Sequence, residues 1–576
     1  MSRTETQNVP AKARATSHHA EDELHGGSRK LALTGLFMAM AVSMIAMTVV
    51  GTSMPIITAD LGATQTQLTW VVTATMLASA ISTPIWGKLA DLTNKKLLVQ
   101  LSLVIFTVGS MLAGISQEPN ELILFRVIQG LGAGGLGALI QIVIADIVSP
   151  LERGKLMGIM GAIMAVGTVG GPLLGGWITD AFGWRWNFYV AVPIAIAAIV
   201  MLQLTLHLHT EKRKVKIDYW GALLISIGFS SILIWVTLAG TEAAVEAGRS
   251  PFAWASWQTG AMVGGGLLAL VLAVIVELRV EEPLIPMTLF KNRTFTMAVI
   301  ASIAVGLGMM GTSVFLGQYM QLARGKTPTE SGLLTIPMMA GLLITSTVLG
   351  QVISRTGKWK RYMVVGSFVL ALGLFMMGQL RYDTSFWYVG VSMFVLGAGV
   401  GACMQNLVLV VQNTVDPREL GAASSSVNFF RTIGGTAGMS AMTAILVFQL
   451  GDFMKTGMST LGEKIQAFFQ NQGVDPHGIA ACIEDGTIQV NDGGMAIPAL
   501  ESGQIPKLAE ICEPVRTVIE EAYGHAIGDI FLYASPIAIV AIIAIIFLPN
   551  IPLGRMSNAE KLAAQQAAEQ IDPASL

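Results

Sequence analysis

The 576-residue sequence predicts an all-α polytopic membrane protein with fourteen transmembrane helices, arranged as two six-helix bundles with a two-helix insert between them. Three observations lead to this fold class. Hydrophobic residues make up 53% of the chain and charged residues only 12%, roughly half the charged fraction of a soluble domain. Apolar stretches of about 20 residues, long enough to cross a hydrocarbon core, recur along the chain. Motifs of the first half also return in the second half at a nearly constant offset.

The predicted spans follow a polar tail, residues 1–30, which contains Glu21, Asp22 and Glu23 and therefore does not match a cleaved signal peptide. In chain order, the fourteen stretches cover 31–55, 67–87, 97–115, 121–145, 155–177, 186–206, 220–239, 259–277, 296–316, 331–352, 362–380, 386–411, 428–450 and 527–549.

Lysine and arginine are concentrated in alternate loops, which predicts the orientation of the chain. One set of loops contains basic groups within 88–96, 153–155, 212–216 and 355–361. The opposite short loops contain only Arg185, Arg249, Arg324, Lys326 and Arg381. We therefore expect a multi-pass protein of a bacterial-type cytoplasmic (inner) membrane with both termini cytoplasmic. The net charge of −2 and the lack of a basic patch give no indication of nucleic-acid binding.

With this orientation, the long segment 451–526 is extracytoplasmic. It is acidic and polar, with weakly amphipathic stretches at Leu461–Gln472 and Ile505–Tyr523. It also contains Cys482 and Cys512, which could form a disulfide in an oxidising compartment.

An internal repeat relates the two halves. The offset is 265 residues for one group of positions and 267 for another: Gly132 and Gly134 match Gly397 and Gly399, and Glu152, Gly154, Gly167 and Gly171 match Glu419, Gly421, Gly434 and Gly438. Parallel six-helix repeats are typical of two-bundle transporters. The predicted organisation is a cytoplasmic tail (1–30), an N-terminal bundle (31–206), an insert with flanking loops (207–295), a C-terminal bundle (296–549) and a cytoplasmic tail (550–576).

The fifth span contains the most informative motif, a fixed spacing of small residues and one proline: Gly158, Gly167, Gly171, Pro172, Gly175 and Gly176. Glycine allows a neighbouring helix to approach closely, and a proline inside a helix bends it. Scattered small residues would indicate only ordinary membrane-helix packing, whereas this spacing is specific.

Four further motifs occur in a fixed order: Trp70–Ala74 in the second span, Leu122–Gly135 in the fourth, Trp184–Phe188 before the sixth and Phe430–Gly438 in the thirteenth. Together with the glycine-proline motif they make residues 31–450 resemble the fourteen-helix drug:proton antiporter (multidrug efflux) family of the major facilitator superfamily. The resemblance implies the major facilitator fold and transport driven by proton exchange.

The resemblance also implies gating or coupling roles for Asp91, Arg126, Asp146 and Arg431. For Arg126, inside the fourth span, the alternative is a structural hub that binds backbone carbonyls and Gln129. For Asp91, the family role is a latch whose carboxylate caps a helix end and pairs with lysine or arginine. The alternative for Asp91 is a charged turn that only sets topology.

Three positions depart from the family pattern. The first helix of the family usually has an aspartate two residues before a threonine matching Thr48, and this chain has Ala46 there. Asn94 replaces a usual glycine, and Thr75 a usual tyrosine. The loss of the aspartate matters most, because that carboxylate is a common candidate for proton coupling or cation recognition.

None of the 37 acidic residues lies near the centre of a predicted span. A buried carboxylate is what offsets the desolvation of a cationic substrate, so we expect a neutral, zwitterionic or amphiphilic substrate. The polar or aromatic residues that could line its cavity are Thr48, Ser53, Trp70, Gln129, Gln318, Gln321, Gln405, Asn406 and Gln412.

The sequence predicts no enzymatic site, cofactor or metal site, since it contains no nucleotide-binding loop, zinc-ligand spacing or nucleophile-base arrangement. The expected function is secondary active export of hydrophobic or amphiphilic small molecules by alternating access, by a monomer in contact with membrane lipids and with protons as the coupling ion. Two alternatives remain open: an exporter or flippase of a membrane lipid or lipid-like product, and a non-transporting membrane sensor or scaffold.

Overall fold

The computed structural model describes residues 26–50, 53–63, 65–206, 218–239, 256–326, 328–470, 489–491, 494–496, 513–557 and 560–562. Seventeen α-helices lie in these residues: α1 Gly26–Thr48, α2 Met54–Leu61, α3 Gln65–Leu92, α4 Lys95–Ile115, α5 Pro119–Ile147, α6 Pro150–Phe182, α7 Trp186–Tyr189, α8 Ala191–Thr205, α9 Tyr219–Ala239, α10 Trp257–Glu277, α11 Arg293–Gln318, α12 Pro328–Leu334, α13 Ile336–Thr356, α14 Lys360–Met377, α15 Phe386–Thr414, α16 Leu420–Gln470 and α17 Glu513–Phe547. Short 3-10 helices cover Met287–Lys291 and Pro417–Glu419, and a π-helical turn, Tyr319–Ala323, continues α11.

Each of the fourteen predicted spans coincides with helix. Nine helices in the described residues are long and apolar enough to cross a membrane, or ten if the bent α6 counts as one span. The four predicted spans outside this set are those of α3, α9, α11 and α16. For α9 and α11 the apolar helices are shorter, Tyr219–Trp235 and Arg293–Met309. The predicted all-α membrane fold is confirmed.

Two boundaries differ from those predicted. The first span is split between α1 and α2, because Pro55 in the first turn of α2 has no N–H to continue a helix from α1. The helices α16 and α17 continue into the predicted outer segment, where no proline interrupts Leu420–Gln470. The ring centroids of Phe453 and His525 are 5.3 Å apart in this extension.

The outer segment also contains a small antiparallel pair that the sequence does not predict, β1 (Gln489–Asn491) with β2 (Gly494–Ala496). Cys482 and Cys512 lie outside the described residues, so their pairing stays a prediction.

Local sequence explains several helix ends. Ser149 caps α6 by accepting a hydrogen bond from the amide of Glu152 at 3.4 Å. Asn94 caps α4 in the same way, through Leu97 at 3.3 Å, so the residue that replaces the family's glycine has a structural role of its own. The end of α13 requires Gly357, whose φ is +68°.

Each half has its own hydrophobic core. The larger core consists almost entirely of residues from 289 to 553, and a second lies within 32–206 apart from Leu420. A smaller cluster joins the insert, through Ile225 and Ala273, to Phe429 of α16. The halves meet mainly where α3 packs on α16 and where α6 packs on α13. These two contacts pair the second helix of one half with the fifth helix of the other, as the internal repeat requires.

Candidate gate and substrate path

Asp91, at the end of α3, connects the two halves through its carboxylate. Oδ1 accepts the amide hydrogen of Gly421 at 2.7 Å and Oδ2 that of Ala422 at 2.8 Å. Both amides are in the first turn of α16, where helix N–H groups have no partner within the helix and the dipole favours an anion. A side chain at Gly421 would collide with the carbonyl oxygen of Gly87, so this approach requires glycine. Asp91 therefore caps a helix of the opposite half.

The neighbouring lysines form ion pairs with other carboxylates. Lys95 lies 2.6 Å from Asp146 within the N-terminal half, and Lys88 lies 2.6 Å from Glu282 of the insert. In the described residues, Asp91 accepts hydrogen bonds from the two amides, and Lys95 and Lys88 act on its carboxylate through their charge. Its gating role, like that of Asp146, stays a prediction.

A second connection between the halves surrounds Arg153, which is 1% exposed near the start of α6. Its guanidinium donates to the carbonyl oxygens of Ala145 and Val148 at 2.8 and 3.0 Å, and to Oε1 of Gln412 on α15 at 2.9 Å. Gln412 donates in turn to Ser424 of α16 at 3.0 Å. Gln412, predicted to line the cavity, therefore lies in a contact between the halves.

The same connection continues through α5 and α16. Asn428 donates to Oε1 of Gln141 at 2.9 Å and accepts from Arg431 at 2.6 Å. We call Gln141, Arg153, Gln412, Asn428 and Arg431 the inter-half network. All five side chains are neutral or cationic, so the network joins the halves without an ion pair between its own members.

Sequence reasoning selected Arg431 and Gln412 but not the other three members of this network. From the sequence, Arg153 is only one of the basic residues that set the topology. For Gln141 and Asn428, the available signal was a polar side chain inside or beside a predicted span.

Arg126 lies within the N-terminal half. Its guanidinium donates to Oε1 of Gln129 at 2.6 Å and to the carbonyl oxygen of Val71 at 3.3 Å. Gln129 donates to Ser110 at 2.5 Å. These are the partners that the structural-hub alternative predicts, while a relay role stays a prediction.

The glycine-proline motif places α6 against two different neighbours. A methyl group at Gly158 would lie 2.7 Å from the carbonyl oxygen of Ser346 on α13, in the opposite half. One at Gly167 would lie 2.9 Å from Cβ of Met44 on α1, and one at Gly171 would collide with Thr48. Gly176 has open space instead, and Gly175 is buried.

The helix α6 bends by 42° between its segments Pro150–Thr168 and Leu173–Phe182. Pro172 lies at this bend, and a proline is the usual cause because it removes a helix hydrogen bond.

Several of the predicted cavity residues have partners within their own half. Thr48 donates to the carbonyl oxygen of Gly167 at 2.9 Å, beside the motif. Ser53 is hydrogen-bonded to Thr179 and Asn187, each at 2.6 Å.

Asn406 also bonds within its half, donating to Ala402 at 2.8 Å. Trp70 and Gln321 are half-buried.

Gln318 and Gln405 differ from the other predicted cavity residues. The buried side-chain oxygen of each has no hydrogen-bond partner among the described residues. Gln405 also donates to Sδ of Met164 on α6 at 3.1 Å, so it lies between the halves. The contact of these two residues with a substrate, like that of the other predicted cavity residues, stays a prediction.

The insert is attached beside the Asp91 contact. Its Glu277 accepts the amide hydrogens of Leu284 and Ile285, both at 3.1 Å, and so fixes the loop that carries Glu282. From this loop Glu282 reaches Lys88 of α3, and Phe229 of α9 packs on Phe429 of α16 at a centroid distance of 4.8 Å. The insert therefore touches both halves, which the sequence did not predict.

Charged groups near the opposite ends of the helices pair at the surface. Asp60 accepts from Trp184 at 2.9 Å and from Arg185 at 2.8 Å, and these hydrogen bonds hold the pKa of its carboxyl below the ordinary value. Asp529 lies 3.6 Å from Arg381 in the loop after α14, consistent with its predicted position at the outer edge of its span.

Comparison with known proteins identifies the family. Residues 36–439 match the family model of the Major Facilitator Superfamily. The chain is 31% identical to Multidrug transporter protein MdtP of Bacillus subtilis (strain 168) over 545 residues, which cover 94% of this chain and 97% of that protein. It is 32% identical to Multidrug resistance protein 3 of the same strain over 419 residues, with coverages of 72% and 78%.

The crystal structure of the human organic anion transporter MFSD10 (TETRAN) shares the fold. Its TM-score is 0.53 at 14% sequence identity, over 72% of this chain and 93% of that one. With the helices, the internal repeat and the family match in agreement, the chain belongs to the Major Facilitator Superfamily of membrane transporters.

Proposed function

We propose that the protein exports hydrophobic or amphiphilic small molecules by alternating access, driven by the proton-motive force, as a monomer with both termini cytoplasmic. Two relatives that align over most of their length are named as multidrug proteins, which supports export of this kind. The alternating basic loops support the orientation, because positively charged loops remain on the cytoplasmic side. In this orientation, Asp91 and the start of α6 lie at the cytoplasmic face.

The observation that carries the proposal is the way the two halves are joined. Each half has its own hydrophobic core. The hydrogen bonds between the halves that the structure describes lie along one part of the interface, which runs from Asp91 at one end to Gln405 at the other. Two bodies joined mainly by hydrogen bonds and glycine contacts can separate there and expose little of either core beyond Ala165 and Leu420. Opening and closing of the cytoplasmic end is therefore the movement we assign to transport.

The polar side chains predicted to line the substrate path support an uncharged or amphiphilic substrate. Gln405 and Gln318 offer neutral acceptors, and Met164 offers an adaptable apolar surface beside one of them. Ala46 is 2% exposed within the core of its own half and supplies no charge. Apolar burial contributes about 25 cal/mol per Å², whereas a desolvated cation without a buried anion loses several kcal/mol.

Transport by the purified protein in liposomes with an imposed pH gradient tests this function. We expect gradient-dependent movement of a neutral lipophilic dye and little movement of a dicationic dye. A protonophore should abolish the signal. Efficient export of the dication by the unmodified protein would contradict the substrate assignment, and no transport of any probe would favour the sensor or scaffold alternative.

A membrane lipid or lipid-like product is the second candidate cargo. One observation favours it: α16 and α17 continue together beyond their predicted spans, with Gly457 against Val518, and could present the outer segment to an acceptor. A fluorescent lipid in the same liposome assay separates the two cargoes.

A further inference from the structure

A groove of about 530 Å³ lies on the C-terminal half between α13, α14 and α15. Its lining is mostly apolar, and its polar members are Thr345, Arg361 and Tyr362. Small residues form the floor, since a methyl group at Gly366 would collide with Cβ of Ala402. No member of the inter-half network and no predicted cavity residue lines the groove, although Ala402 on its floor accepts a hydrogen bond from Asn406.

The groove matches one membrane leaflet in length. Arg361 is the second residue of α14, and Val369 lies two turns further along the same helix, about 12 Å away. A leaflet contributes about half of the 30 Å hydrocarbon core. A ligand with its polar end at Arg361 would thus place an apolar chain along Val365 and Val369, in the depth range of lipid tails.

The charged residue that lines the groove is Arg361, and the chain segment around it is basic. Arg355 is near the end of α13, Lys358 and Lys360 lie in or next to the turn that follows, and no acidic residue occurs between Glu330 and Asp383. None of the four cations forms an ion pair with a carboxylate in the part of the chain that the structure describes. The turn is held in place by the buried Trp359, whose indole donates to the carbonyl oxygen of Ile551 at 2.8 Å.

We propose that this groove binds one anionic phospholipid, with its phosphate at Arg361 and Tyr362 and one acyl chain along the apolar lining. Basic pockets between transmembrane helices on the cytoplasmic side are suited to anionic head groups, and tyrosine is suited to the boundary between tail and head group. The proposal depends on the groove and not on the identity of the transported substrate.

The position of the groove gives the lipid a consequence for gating. Thr345 and Leu349 line it from α13, and the adjacent residues Ser346 and Gly350 make the close contact with α6 of the other half. A bound acyl chain supports the lipid-facing side of α13 while the other side presses on α6. The lipid therefore favours the conformation in which α6 and α13 are in contact.

Native mass spectrometry of the full-length protein in detergent, titrated with phosphatidylglycerol or phosphatidylcholine, tests the proposal. We expect one tightly retained phosphatidylglycerol on the unmodified protein and weaker retention of phosphatidylcholine. Arg361→Gln should weaken phosphatidylglycerol binding about fivefold, the effect of one basic residue at an anionic membrane surface. Arg355→Gln, which removes the same charge at a residue of α13 that does not line the groove, is the matched control and should leave this binding unchanged.

Ala398→Phe fills the floor of the groove and should reduce retention of both lipids. Equal losses in Arg361→Gln and Arg355→Gln would mean general attraction to a basic surface and would overturn the proposal. So would full competition by glycerol phosphate, since a free anion would then suffice without a tail. Arg361→Gln changes an exposed side chain and should not affect folding. If Ala398→Phe fails to fold, the comparison of Arg361→Gln with Arg355→Gln still tests the proposal.

Discussion

Replacement of Asp91 by asparagine should shift the protein away from the conformation in which its halves touch. The carboxylate accepts two amide hydrogens from α16, at 2.7 and 2.8 Å. Asparagine keeps a single acceptor oxygen and turns an NH₂ group toward the second amide donor. When the cytoplasmic end opens, both side chains are hydrated, so the loss applies to the closed conformation alone.

The size of the shift follows from the bonds lost. Hydrogen bonds to charged groups contribute about 1.5–3 kcal/mol each, against about 0.5–1.5 for neutral ones. Weakening one bond and losing the other removes about 2–4 kcal/mol, including the interaction with the helix dipole. The closed-to-open ratio should fall about 30- to 1,000-fold, at 1.36 kcal/mol per factor of ten.

Pulsed EPR distances between spin labels at Lys155 of α6 and Arg355 of α13 measure this ratio directly, once the three native cysteines are replaced. Both sites are exposed and belong to opposite halves. Glu152→Gln is the control, because Glu152 pairs with Arg29 of the same half at an exposed site, where such pairs contribute about 0–1 kcal/mol.

Substrate affinity and turnover should be measured on the same Asp91→Asn protein. We expect slow turnover with nearly normal affinity, since the residue is at the end of the helix bundle. An unchanged distance distribution, or a large loss of affinity with intact turnover, would refute the latch.

Gly171→Leu should abolish transport in a folded, inserted protein, because the new side chain would occupy the position of Thr48. Pro172→Ala should also abolish transport, because it removes the bend in α6. Wild-type transport rates in both variants would contradict this prediction. Ala46→Asp should shift preference toward dicationic dyes, and unchanged selectivity would count against the importance of the missing carboxylate. The contact of Asp60 with its tryptophan and arginine should persist at neutral pH and be lost as pH falls below 3.8, because its folded-state pKa is lowered from that value. Tryptophan fluorescence of the wild type and Asp60→Asn should therefore diverge above that pH and converge below it, and a transition above pH 5 would contradict the assignment.

The sequence predicted helices well because a bilayer imposes both length and composition. Every apolar stretch of about 20 residues became helix, since no other element satisfies its backbone in lipid apart from a closed barrel. The sequence predicted the ends of the helices less well. The extension of α16 past residue 450 depends on weak amphipathic character and packing against α17, which the apolar pattern does not record.

The contacts between the halves could not be predicted in detail. Arg153 and Gln412 are 259 positions apart, and the hydrogen bond between them leaves no periodic trace in the sequence. A glutamine within a span is equally compatible with lining a cavity, bonding its own helix or joining a neighbouring one. Which role it takes depends on the rotation of α15 about its axis, and only the packed structure fixes that angle.

The length of α16 has a mechanical consequence. Its 51 residues form a rod of about 76 Å, more than twice the thickness of the hydrocarbon core. One end is held by Asp91, and in the predicted orientation the other belongs to the extracytoplasmic segment. If the rod pivots at Gly421, each degree of rotation displaces Gln470 by about 1.3 Å. A binder that immobilises the outer tip would thus act on a long lever arm and restrain the cytoplasmic gate without entering the substrate path.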